Sequence, residues 1–117
     1  MITLYGIKTC DTCRAALKWL AQKGLAHRFH DLRADGIDAK KVSSWISALG
    51  WETVINRRST TWRGIPEKTR EGLDAKSAAA LALKEPTLIK RPVIEAKGVL
   101  LIGFDAKVKA ALEKAGG

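Results

Sequence analysis

The stretch Ile2-Thr3-Leu4-Tyr5-Gly6-Ile7-Lys8-Thr9-Cys10-Asp11-Thr12-Cys13 decides how this chain reads. Ile2 to Tyr5 alternates apolar with polar-tolerant residues, the period of a strand, and Gly6 ends it. Behind Cys13, residues Ala16, Leu17, Trp19 and Leu20 recur at helical spacing until Gly24 supplies a stop. His27 to Leu32 returns to strand character. A strand, a helix and a strand within about thirty residues make one parallel crossover unit.

Beyond this unit the middle of the chain reads as helical. Asp38 is placed to cap a helix whose Val42, Trp45, Ile46 and Leu49 are spaced i, i+3, i+4, i+7, with Gly50 at its end. Asn56 to Gly64 is polar, basic and rich in Ser and Thr, and reads as a loop. Asp74 caps a second, alanine-rich helix that must stop before Pro86. Pro92 opens a strand from Val93 to Ala96. Lys97-Gly98 turns it, and Val99 to Ile102 returns as the antiparallel partner. Asp105 then caps a closing helix with Val108, Ala111, Leu112 and Ala115 on one face. This order fits an α/β fold: a four-stranded mixed sheet with helices on its faces, the thioredoxin (glutaredoxin-like) plan with a helical insertion. One domain over 1–117 is expected, with thioredoxin halves at about 1–33 and 87–117 and the insertion at about 37–86.

Composition agrees with a folded domain. Of 117 residues, 46% are apolar and 28% charged, which is ordinary globular usage. No apolar run approaches the ~18 residues of a membrane helix, so no membrane partner is expected. A basic and then apolar leader is absent from the first residues, and a cytoplasmic, reducing location is expected. The net charge of +9 divides evenly along the chain, and no run of Lys or Arg exceeds two residues. That is a dispersed, solvated surface; a nucleic-acid partner is not expected.

Cys10 and Cys13 form a C-x-x-C sequence where a strand gives way to a helix. The thiolate is the nucleophile, and a helix start offers unpaired N–H groups and partial positive charge to favour it. Two intervening residues put the second thiol one turn away, within reach of a mixed disulfide at the first. Cys10, at the helix end, is the expected attacking residue and Cys13 the resolving one. The bland reading is two buried small residues. Zinc is the rival: Cys10, Cys13, His27 and His30 come close to a Cys2His2 spacing. The two histidines are three apart in a predicted strand, so they point to opposite faces. No metal site is expected. Arg57, Arg58 and Arg63 lie in the polar loop, where a planar guanidinium could hold a carboxylate or oxyanion. Trp19 and Trp45 sit on helical faces and read as core; Trp62, in the loop, is the candidate for stacking on a ligand.

The strand ITLY, the cysteine opening the next helix and LIKRPVI near residue 90 resemble the arsenate reductase (ArsC) family and its Spx-like relatives. CDTC and NRRSTTWR look closest to the YffB branch. The resemblance implies a thioredoxin-like fold with a helical insertion. It places Cys10 on the nucleophilic cysteine, Arg91 on an oxyanion-contacting arginine, and Pro92 on a proline that is typically cis and faces the thiol. The histidine that arsenate reductases carry four residues before the nucleophile is Gly6 here. Of their two other arginines, one falls on Gly103 and one on Asn56 or Arg57. These departures weigh against arsenate as substrate, and Cys13 points to dithiol chemistry.

The expected function is therefore thiol–disulfide oxidoreduction. Cys10, Cys13 and Arg91 are the expected catalytic residues, and Thr12, Asn56, Arg57 and Pro92 the expected substrate- or glutathione-binding ones. Glutathione is the expected co-substrate, no cofactor is expected to be tightly bound, and the chain is expected to act as a monomer. The alternatives are arsenate reduction and an Spx-like redox switch that binds RNA polymerase.

Overall fold

Four strands and seven α-helices follow one another in a computed structural model of the chain that describes residues 1–116. The expected domain end at residue 117 lies outside the described residues. The chain divides into two compact units, residues 1–36 together with those from Arg91 onward, and residues 37–90.

The first unit holds the sheet. Strand β1 (Ile2–Gly6) is followed by helix α1 (Asp11–Gln22) and strand β2 (His27–Asp31). β1 and β2 are parallel, with Ile2 opposite His27 and Gly6 opposite Asp31. The late strands of this unit, β3 (Val93–Ala96) and β4 (Val99–Ile102), form the hairpin. Their Lys97-Gly98 turn has φ of 44° and 79°, the left-handed pair that a two-residue hairpin requires. β3 also runs antiparallel to β1, so the strand order is β2-β1-β3-β4. The mixed four-stranded sheet and thioredoxin-like plan expected from the sequence are thus present.

Strand alternation sends Ile2, Leu4, Ile94 and Ala96 to one face. There they meet Ala16 and Leu20 of α1 and Val108 and Leu112 of the closing helix of this unit (Ala106–Gly116). Asp105 caps that helix by accepting the Val108 N–H at 3.0 Å. Trp19 borders this core edge-on to Phe104, half-buried. No helix among the described residues is long and apolar enough to cross a membrane.

The second unit is helical: α2 (Ala39–Leu49), α3 (Trp51–Val54), α4 (Thr60–Arg63), α5 (Glu67–Glu71) and α6 (Ala75–Lys84), then a 3-10 turn at Pro86–Leu88. The closing helix of the first unit is therefore α7. Asp38 caps α2 by accepting the Lys41 N–H, and Asp74 caps α6 in a reciprocal box with Ser77. Trp45 is buried in this unit, as its helical spacing predicts. Two corrections belong here. The 56–64 segment is not all loop, because the Ser59 hydroxyl accepts the Trp62 N–H at 3.1 Å and starts the single turn α4. Trp62 is only 9% exposed, with the Arg70 guanidinium 5.8 Å from its ring. It is a core side chain and presents no open face for ligand stacking.

Candidate active site at the end of β1

β1 ends at Gly6, and the chain turns through Ile7, Lys8 and Thr9 into α1. The Cys10 N–H closes this turn on the Ile7 carbonyl at 2.9 Å, and the Cys10 carbonyl accepts the Arg14 N–H at 3.0 Å. Cys10 is the N-cap of α1, with extended backbone (φ −78°, ψ 122°) and no side-chain capping bond. The residue is half-buried and sits at the end of the helix whose first amides lack intrahelical acceptors. Thr12 is exposed in the first turn. Asp11, also exposed there, pairs with Arg14 at 2.7 Å.

Cys13 has the opposite environment. It is fully buried, one turn inside α1. Burial pushes its thiol up to about 12. The Cys10 sulfur, through a hydrogen bond and its charge, pushes the same way; the Ile7 N–H and the Arg91 cation act against it. Cys13 is therefore a protonated thiol at neutral pH, and Cys10 is the accessible one. Both cysteines are free. The space for the Cys13 sulfur exists because residue 6 is glycine: a Cβ at Gly6 would collide with Cys13 Sγ.

The β1–β3 register, Tyr5 opposite Val93, brings Pro92 to the Gly6 end of the sheet. The Arg91-Pro92 peptide is cis, as the resemblance implied. Pro92 is buried, and its carbonyl accepts the Gly103 N–H at 2.8 Å. Cys10, Thr12, Cys13, Arg91 and Pro92 all belong to the first unit.

Asn56 and Arg57 belong to the second. The Asn56 side chain accepts the Arg58 N–H at 3.1 Å, and its carbonyl accepts the Ser59 hydroxyl at 2.9 Å. It therefore holds the turn that leads to α4. Arg57 is exposed, 5.8 Å from the Trp51 ring, in an open cleft with Arg58, Lys90 and Glu52. Three cations against one carboxylate suit this cleft to an anion.

The histidines are occupied separately. His27 Nδ1 faces the Leu25 carbonyl at 2.8 Å; His30 Nε2 faces the Gly36 carbonyl at 2.7 Å, and its ring lies 5.0 Å from that of Tyr5. Among the described residues, no three His, Cys, Asp or Glu side chains gather as a metal site would require.

Sequence reading passed over Asp31. This carboxylate, at the end of β2, accepts the N–H groups of Lys8, Arg33 and Ala34 at 3.0, 2.8 and 2.9 Å. Burial pushes its carboxyl up, but the amides of Ala34, Arg33 and Lys8 outweigh that and hold it below the usual carboxylate range. An aspartate between a strand and a turn is the one sequence signal that could have marked it.

Known proteins share this family and this fold. The ArsC family model matches residues 5–112. An uncharacterized protein of Haemophilus influenzae is 47% identical over 107 residues, covering 92% of this chain and 94% of that one. The solved structure of a YFFB protein is 41% identical and covers all of both chains, with a TM-score of 0.91. The global transcriptional regulator Spx of Streptococcus agalactiae is 29% identical over 107 residues, covering 90% of this chain and 77% of that one.

Proposed function

This chain belongs to the ArsC family of thioredoxin-fold redox proteins, and from that premise we propose that it is a glutathione-linked thiol–disulfide oxidoreductase. One observation carries the reading: an accessible Cys10 at a helix start, backed one turn deeper by a buried, protonated Cys13. Two thiols so placed can take up and resolve a disulfide, whereas one of the three arginines with which the resembling arsenate reductases hold their oxyanion falls on Gly103 here.

In the first step the Cys10 thiolate attacks one sulfur of the substrate. A bond forms to Cys10, the substrate S–S bond breaks, and the departing thiolate takes a proton. In the second step Cys13 gives up its proton and attacks Cys10 Sγ, releasing the second substrate thiol. Where glutathione acts in its place, one molecule displaces that thiol and a second attacks the glutathione sulfur left on Cys10, freeing Cys10 and leaving as oxidised glutathione. Two electrons pass from the thiols to the substrate. When Cys13 resolves, two glutathione molecules reduce the Cys10–Cys13 disulfide and leave as oxidised glutathione. Arg91 favours the anionic sulfur. No bound cofactor enters either step.

The test is turnover of a mixed glutathione disulfide and of arsenate, each with glutathione as reductant. Disulfide turnover that is lost in Cys10→Ser is expected. Good turnover of arsenate with the disulfide untouched would replace this reading by arsenate reduction.

Likeness to Spx over 90% of the chain favours one second reading, a redox switch in which the Cys10–Cys13 disulfide controls binding to RNA polymerase. It requires that the oxidised chain, and not its Cys10→Ser variant, retain the polymerase.

A further inference from the structure

Asp31 is the one charged residue buried among the described residues, at 7% exposure. An ionised carboxylate is costly to bury unless its oxygens receive hydrogen bonds. Here the oxygens divide the work. Oδ1 accepts from Arg33 and Ala34, the turn that leaves β2, and Oδ2 accepts from Lys8, two residues before Cys10. The Gly6 carbonyl, beside this bond, accepts the Leu32 N–H at 2.8 Å. Two clasps thus fasten the segment that enters the cysteine turn to the segment that leaves the neighbouring strand.

We propose that Asp31 is a positioning residue for Cys10. By accepting the Lys8 N–H, its carboxylate holds the Ile7–Cys10 turn so that the Cys10 sulfur stays at the start of α1. Asp31 reaches the reacting sulfur only through the backbone of residues 8–10. Hydrogen bonds to charged groups are stronger than neutral ones, so a single bond from the carboxylate can hold the Lys8 backbone in place. The inference rests on Cys10 being the nucleophile, but its test uses alkylation and does not depend on which disulfide is the substrate.

Three variants separate the parts. Asp31→Asn keeps one oxygen for Arg33 and Ala34 but turns an NH2 donor towards the Lys8 N–H. Lys8→Pro deletes the donor and leaves the carboxylate intact. Lys8→Ala removes only the ammonium and keeps the N–H. The rate of Cys10 alkylation by iodoacetamide is measured across pH, together with amide exchange at residues 8, 33 and 34. Asp31→Asn and Lys8→Pro should each slow Cys10 alkylation about tenfold at neutral pH and move its pH profile upward, the effect of losing one charge-assisted bond. In Asp31→Asn the Lys8 amide should exchange about tenfold faster while those of Arg33 and Ala34 hold. Lys8→Ala should match the native chain. A pH profile unchanged in Asp31→Asn and Lys8→Pro overturns the proposal, as does a native Lys8 amide without protection. Should Asp31→Asn fail to fold, the Lys8→Pro profile decides by itself: an upward move supports the proposal and an unchanged profile overturns it.

Discussion

The sulfur of Cys13 occupies the space that a side chain on Gly6 would need, so the two residues fit together only as a glycine and a buried thiol. The glycine's backbone is not in the left-handed region; what it supplies is room. Gly6→Ala should destabilise the chain by about 1–3 kcal/mol, the usual range for an overfilled core. In a Cys13→Ala background the same change should cost less, because the colliding sulfur is gone. Denaturant unfolding of the four chains checks this, and additive costs would show that the collision is relieved elsewhere.

The two cysteines should divide the reaction. Cys10→Ser should lose disulfide turnover altogether, since the remaining thiol is buried. Cys13→Ser should still form the first bond and collect a mixed disulfide at Cys10, visible by intact mass as one added substrate thiol. Equal accumulation in the native chain would assign resolution to glutathione.

Burial of Cys13 has a pH signature. Its thiol ordinarily titrates near 9.0 and is pushed up to about 12 in the fold, so the native state holds this proton where the unfolded state has released it. The associated stability is fully present below about pH 9 and is lost as pH rises towards 12. Serine does not ionise there. Unfolding midpoints of the native chain should therefore fall more steeply in alkaline solution than those of Cys13→Ser.

Arg91→Ala should slow Cys10 alkylation more than Lys8→Ala. The charge of Arg91 already acts on the buried member of the pair, whereas the Lys8 side chain is exposed and screened. Alkylation rates at low and high salt distinguish the two, and a larger effect from Lys8 would reverse the assignment.

Trp62→Ala should cost about 3–5 kcal/mol, as for a core aromatic. Cys10 alkylation in the folded variant should be unchanged. Fluorescence quenching of this tryptophan by glutathione, which an exposed stacking platform would give, is not expected.

Elements were legible where their causes are local. Asp38, Asp74 and Asp105 cap the helices that follow them, because an N-cap needs only an acceptor and the next turn. The Lys97-Gly98 turn follows from two residues and their flanking strands. Position 13 could be named as a thiol, but its depth could not, since that depends on which residue of β1 lies over it. Asp31 was missed for the same reason: its partners Arg33 and Ala34 are near in sequence, but Lys8 is 23 residues away. Around Trp62 the error had another source. Ser59-Thr60-Thr61 looks like loop by composition, yet one serine hydroxyl is enough to start a turn that drives the indole inward.

The pairing of Tyr5 with Val93 also sets a timetable for biosynthesis. The ring hydroxyl of Tyr5 reaches Glu95, 90 residues further along the chain. At roughly 5–20 residues per second, a ribosome needs on the order of 5–20 seconds to supply that antiparallel partner. The helices of residues 37–90 are made in the interval and draw on contacts closer in sequence. Throughout it, the strand that leads to Cys10 lacks its β3 neighbour. An oxidant that reaches the nascent chain therefore meets both thiols before the sheet has sorted them into one half-buried and one enclosed.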